Sequence, residues 1–171
     1  MTDPLEDLAD AVSDDDAARR RQRLDDTDAV LTETIRARGH EHVSATHPST
    51  FEVTTDDYLT PAGDCILAIG ADRAPADFDP TFVAACRKQS AAISLTIEAG
   101  GHSDTVVGRG DPRLSFENER SAVGRTSTYV DDRTILLEAD HAAHGFDRSL
   151  IEELADGVPV TVMLSVAPVR E

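Results

Sequence analysis

Aromatic residues, lysine and cysteine are all scarce in this chain. Of its 171 residues none is Trp, two are Tyr, five are Phe and two are Cys, and Lys88 is its single lysine. Stacking the bases of single-stranded nucleic acid needs exposed rings, and with most of these rings claimed by core-like patterns that platform is poor. Two cysteines cannot build a disulfide framework, and in a reducing compartment they are expected to stay unbridged. No apolar run approaches the roughly 20 residues that span a bilayer. The opening residues Met1-Thr2-Asp3-Pro4-Leu5-Glu6 are acidic and lack the apolar core of a signal peptide. A cytoplasmic protein with no membrane partner is therefore expected. Gly108-Arg109-Gly110 is too short for a phosphate loop and opens no helix, and there is no Gly-x-Ser-x-Gly elbow for acyl transfer.

Acidic charge is what the chain has in excess: 33 acidic against 16 basic residues, a net charge of -17. Such a surface repels itself unless salt screens it. The acids are spread along the whole chain, which suits a halophilic, molar-salt cytoplasm better than one basic partner. Binding a nucleic acid by diffuse charge is disfavoured, and salt would weaken it further.

The chain also reads as one unit written twice. At an offset of 71, Thr34-Ile35 falls on Thr105-Val106, Arg38-Gly39 on Arg109-Gly110, Thr55 on Thr126 and Tyr58 on Tyr129. The offset then resets to 68, so that Asp64 meets Asp132 and Ala71-Asp72 meets Ala139-Asp140. Residues 1–30, with Asp14-Asp15-Asp16 followed by Arg19-Arg20-Arg21, form a charged leader that reads as a solvated tail or a frayed helix. Residues 31–171 are expected to make a single β-rich domain, with units at about 34–99 and 105–166. Thr34–Arg38 and Phe51–Thr54 alternate as strands, and Cys65–Ile69 is an apolar run suited to a strand covered on both faces. Asp79-Pro80 and Asp147-Arg148 read as helix starts, and 92–97 and 158–162 as closing strands. The expected fold is mostly β (α+β): about ten strands in a sandwich or partly closed barrel, with two short helices. Cys86 falls on the apolar face of one helix and reads as core.

Four separated stretches resemble an archaeal family of uncharacterised proteins, domain of unknown function 371. They are Gly39-His40-Glu41-His42-Val43-Ser44-Ala45-Thr46-His47, Leu59-Thr60-Pro61-Ala62-Gly63-Asp64-Cys65-Ile66, Gly108-Arg109-Gly110-Asp111-Pro112-Arg113-Leu114 and Asp132-Arg133-Thr134. The similarity covers about residues 32 to 168; His40 and His47 follow the family pattern, while His42 and His102 depart from it. The resemblance implies an archaeal, cytoplasmic, β-rich protein and supplies no activity.

Two constellations carry possible chemistry. His40, His42 and His47 form a one-copy cluster, opposite Asp111, Arg113 and Asn118 in the second unit. On an extended strand His40 and His42 share a side, where two imidazoles can hold a divalent transition metal such as zinc, iron or manganese. Glu52 or Asp64 would complete such a site, Asp64 doubling as a general base in a metal-dependent enzyme of hydrolase type. The bland alternative is three solvated histidines. The second constellation is Arg109, Arg113, Arg120, Arg125 and Arg133, with Arg38 as the counterpart of Arg109. Guanidiniums grip carboxylate or phosphate in a bidentate fork, and pseudo-symmetry would bring Arg38 and Arg109 together near an axis. Against this, Asp111, Glu117, Glu119, Asp131 and Asp132 are enough to pair these arginines one for one. Three readings follow. The favoured one is a non-catalytic module binding a small anionic ligand (a nucleotide, phosphorylated metabolite or nucleic-acid backbone) through Arg38, Arg109, Arg113, Arg125 and Arg133. The others are the metal enzyme and a protein-assembly module.

Overall fold

Alternating apolar and polar residues, cut by Asp, Gly and Pro turns, fold this chain into two stacked sheets. The computed structural model describes residues 14–169. The strands are β1 (Leu31–Arg38), β2 (Thr50–Thr54), β3 (Ile66–Ala68), β4 (Ala92–Ala99), β5 (His102–Arg109), β6 (Ser121–Arg125), β7 (Thr134–Leu136) and β8 (Pro159–Ala167). The helices are α1 (Asp14–Asp26), α2 (Pro80–Cys86) and α3 (Arg148–Ala155). Short 3-10 turns at Pro75–Asp77 and Ala143–Gly145 precede α2 and α3. The same element order thus runs twice, through 31–99 and 102–167. Each half holds four strands, eight in all among the described residues, where the sequence suggested about ten. The difference lies in the connections after β2 and β6, whose Asp, Ser and Thr side chains accept backbone N–H groups and so favour turns.

One sheet has the order β1-β8-β4-β5 and is antiparallel throughout; the other has the order β3-β2-β6-β7, with an antiparallel centre and parallel edges. Single bridges, Arg38 to Ile69 and Arg109 to Leu137, tie the sheets at two corners, and they do not close into a barrel. Ile35, Ile93, Leu95, Ile97, Val106, Val162 and Leu164 point from the first sheet into the core. Phe51 meets Phe146 edge to face at 5.5 Å, and Phe78 and Phe82 meet at 5.6 Å. Gly124 lies against the Phe51 ring, where any added Cβ would sit 2.1 Å from a ring carbon. The helix starts fall where expected: Asp79 accepts from Thr81 N at 2.8 Å, and Asp147 from Ser149 N at 2.7 Å. Cys86 is fully buried, as expected of a core residue. No helix among the described residues is long and apolar enough to cross a membrane.

The leader, read from sequence as a solvated tail or frayed helix, is helical over Asp14–Asp26 and lies against β4, β5 and β8. Residues 1–13 fall outside the described residues. What the reading missed is that the arginines of α1 have acceptors on the domain. Arg21 pairs with Asp140 and donates to Thr105 O, Arg20 approaches Glu138 at 3.8 Å, and Arg23 donates to Ser90 O. Within α1 only Ala17 is buried, so the helix adds little apolar burial. Deleting residues 1–26 is accordingly expected to leave a cooperatively folding domain and to cost less than Phe51→Ala, which should cost about 3–5 kcal/mol. Urea denaturation of both variants checks this; a deletion that fails to fold would show α1 to be part of the core.

Candidate functional site

The second half shows how this backbone neutralises an arginine. Arg109, at the end of β5, donates from Nε to Glu138 and from Nη1 to Asp111 at 3.2 Å. Asp111 also accepts from the backbone N and the Nε of Arg113, both at 2.9 Å. Those Arg113 bonds lead a set of effects, opposed by burial, that hold the Asp111 carboxyl well below its usual range. Glu138 sits at φ +52°, a left-handed conformation that side chains rarely adopt, and its first-half counterpart at offset 68 is Gly70, at φ +62°.

A second knot lies nearby. Arg125 donates to Thr134 Oγ1 and to Asp131, both at 2.9 Å, and its guanidinium sits 4.8 Å over the Tyr129 ring. Arg133 reaches the same Asp131 oxygen at 2.9 Å. Burial pushes the Asp131 carboxyl up, but the Arg133 bonds and the Arg125 charge outweigh it and leave the group at about 2. Four of the five arginines proposed for anion binding, Arg109, Arg113, Arg125 and Arg133, are therefore already in ion pairs.

Arg38 differs. At offset 71 its counterpart is Arg109, but Gly70 stands where Glu138 would be and His40 where Asp111 would be. Its Nη2 has a carbonyl contact, Asp57 O at 3.3 Å, and no ion pair joins Arg38 or Arg36 to a carboxylate among the described residues. The two side chains share the outer face of β1, both exposed, beside a shallow hollow of about 330 Å³ bounded by Gly70, Gly157 and Pro159. Arg38 and Arg109 do not converge as expected: they occupy opposite edge strands, with β8 and β4 between them. Arg36 was missed from sequence, although the signal was there, since its counterpart is the apolar Val107.

The histidines have local roles. His40 Nδ1 accepts from His42 N at 3.0 Å, as Asp111 accepts from Arg113 N. His47 Nδ1 accepts from Ser49 N at 3.2 Å and Thr50 N at 3.1 Å, as Asn118 Oδ1 accepts from Arg120 N and Ser121 N. They are turn caps written as His in one half and as Asp or Asn in the other. A neutral ring accepting at Nδ1 carries its proton on Nε2, opposite to the tautomer that binds a metal through Nε2. The His40 and His42 rings lie 5.1 Å apart, yet no group of three or more His, Cys, Asp and Glu among the described residues is arranged to hold a metal. Asp64 contributes its carbonyl, which accepts from Thr46 N and His47 N. Burial, with the Glu52 carboxylate beside it, pushes the Cys65 thiol up to about 11, so it is protonated at neutral pH and a weak ligand.

The sequence profile of the family described as "Domain of unknown function (DUF371)" matches residues 35–167. The uncharacterized protein MJ0206 of Methanocaldococcus jannaschii is 38% identical over 123 residues, which cover 72% of this chain and 90% of that protein.

Two outcomes test this geometry. Because Asn performs the cap at residue 118, His47→Asn should change stability by under about 0.5 kcal/mol, while His47→Ala should cost about 1 kcal/mol; equal losses would mean the imidazole does something a cap does not. Asp131→Asn should cost about 1–3 kcal/mol at neutral pH. A depressed carboxylate contributes fully above its unfolded pKa, about 3.9, and loses that contribution as pH falls toward its folded value. The gap between wild type and Asp131→Asn should therefore be flat above about pH 5 and close between about pH 4 and 2. Denaturant melts across that range read it, and a constant gap would refute the pairing.

Proposed function

The chain belongs to the DUF371 family, and within it we propose that this protein is a non-catalytic binding module for a small anionic ligand, held by Arg38 and Arg36 at the end of β1. One observation carries this: the backbone that gives Arg109 two carboxylate partners gives its counterpart Arg38 a glycine and a histidine instead. A guanidinium left exposed on a protein of net charge -17 keeps its bidentate fork for an anion from outside. The small hollow, lined by Arg36, Ala37, Arg38, Gly70, Gly157 and Pro159, suits the binding of a small anion. A phosphate or phosphorylated metabolite suits the fork. A nucleic-acid backbone does not suit the surrounding charge, because each further phosphate would meet acids. The acidic surface fits a halophilic cytoplasm, so the reading is best tested in low and in molar KCl.

The experiment is calorimetric titration with inorganic phosphate and pyrophosphate. Wild type should bind, and Arg38→Ala should weaken binding about tenfold or more. Gly70→Glu, which places a carboxylate beside Arg38 as Glu138 stands beside Arg109, should weaken it as much without removing the arginine. Arg113→Ala and Arg133→Ala should bind like wild type. Equal binding by Arg38→Ala and wild type would remove the proposal.

A further inference from the structure

In the first sheet the core takes one face, and α1 covers only part of the other. That helix crosses the outer face of β4, β5 and β8, lying over Ser94, Thr96, Thr105 and Val107. At the offset of 71, and at 67 where Ile93, Leu95 and Ile97 fall on Val160, Val162 and Leu164, the counterparts of those four residues are Thr34, Arg36, Thr161 and Met163, on the outer face of β1 and β8. Nothing among the described residues lies over this second set as α1 lies over the first. Val107 is 1% exposed under the helix, whereas Met163 is 41% exposed, one of three large apolar side chains so exposed among the described residues. The sheet therefore presents two seats on matching antiparallel strand pairs, one under α1 and one without a helix over it, in which Met163 and Arg36 stand where the first has Thr96 and Val107.

Their charges are opposite. The filled seat offers Glu138 and Asp140, and α1 answers with Arg20 and Arg21. In the bare seat Glu138 is replaced by Gly70 and Val107 by Arg36, while Arg38 has no carboxylate. Asp72, the counterpart of Asp140, is retained, its Oδ1 accepting from Arg36 N at 2.9 Å as Asp140 Oδ1 accepts from Val107 N at 3.0 Å, so this seat sets two guanidiniums against one carboxylate. A helix with the arginines of α1 would meet Arg36 and Arg38 in this seat and be repelled. A helix bearing carboxylates at that end and an apolar residue over Met163 would be held. We infer that the outer face of β1, with the part of β8 that α1 leaves uncovered, is a docking seat for an acidic helical segment of a partner protein, with Arg36 and Arg38 gripping its carboxylates and Met163 packing beneath it. This rests on the anion reading of Arg38 and makes the anion a side-chain carboxylate of a partner. Helix α1, 13 residues long, shows the size of element the face accepts, about 20 Å at 1.5 Å per residue. Recognition would combine an apolar anchor with a charged rim, the first giving affinity and the second orientation and choice of partner.

Met163 supplies its own reporter, since Met1 is the only other methionine. The experiment is methyl NMR on full-length protein with 13C-labelled methionine. The probe is a helical peptide of about 14 residues, four turns, carrying glutamates and leucines on one face, with a lysine-for-glutamate version as control. The acidic peptide should shift the Met163 methyl saturably and the lysine version should not, and the double variant Arg36→Ala/Arg38→Ala should weaken binding about tenfold or more. Met163→Asp should lose a fluorescently labelled peptide in an anisotropy titration while still binding inorganic phosphate, phosphate binding also showing that it has folded. If the acidic peptide leaves the Met163 methyl unmoved while phosphate still binds in an Arg38-dependent way, the docking seat is refuted and the anion site stands. If neither binds, both fall. Equal shifts from the lysine peptide would refute the charge-selective seat.

Discussion

Everything in this fold depends on the antiparallel pairing at the centre of each sheet, where the two halves of the chain meet. In the first sheet β4 lies beside β8, with Ile93 opposite Val166, Leu95 opposite Leu164 and Ile97 opposite Val162. In the second, β2 lies beside β6, with Phe51 opposite Gly124 and Val53 opposite Ala122. Each sheet takes its centre from both halves, so neither half can bury its apolar face alone. The Phe51 ring is accommodated because the other half supplies a glycine opposite it. This interlock fixes where the arginines fall. A strand that pairs with the closing strand of the other half is carried to the far edge of the sheet, and so Arg38 and Arg109 end at opposite edges rather than on a common axis.

Because the same element order runs in both halves, side chains at matched positions can be set side by side. Ala45 and Phe116 share the left-handed region, at φ +50° and +53°, and so do Gly70 and Glu138. His40 matches Asp111, and His47 matches Asn118, each pair accepting the same kind of backbone N–H. The comparison separates what the turn requires from what one half has added. A cap acceptor is required, and imidazole, carboxylate and carboxamide all serve. The carboxylate that neutralises the arginine is not required, and only the second half has it.

That comparison also shows what could be read without coordinates. Strand alternation at Thr34–Arg38 and Phe51–Thr54, the Asp-Pro helix start at Asp79, and the offsets of 71 and 68 were legible, because each is a local signal with a short period. The role of His47 was not: its chemical type suggests a ligand, and only the position of Ser49 N and Thr50 N shows a cap. The docking of α1 on the domain was not legible either, because its binding face is polar and its partners lie about 70 to 120 residues away, at Ser90, Glu138 and Asp140. The Arg36–Arg38 pair was half legible. Arg38 stood out by matching Arg109, and the offset of 68 set Gly70 against Glu138, but only the structure shows that Glu138 and Asp111 are what neutralise Arg109.

The contrast between Gly70 and Glu138 has an energetic reason. A left-handed glutamate costs about 1 kcal/mol or more, yet removing it would leave Arg109, whose side chain is 13% exposed, with one carboxylate in place of two in a place water hardly reaches. Desolvating half-paired charge costs more than the strain. Glycine at residue 70 relieves the strain, and that is tolerable because Arg38 is solvated. A guanidinium without a carboxylate is therefore cheap to keep in the free protein, and the same solvation sets the limit on its binding. An incoming anion must displace the water on Arg38, so a single charge gains little. Useful affinity requires either a bidentate oxyanion that fills the fork or a ligand that also covers apolar surface nearby. On this face Pro159 lies opposite Arg38 and the exposed Met163 lies farther along β8, opposite Thr34, which is why charge and packing have to be tested on the same molecule.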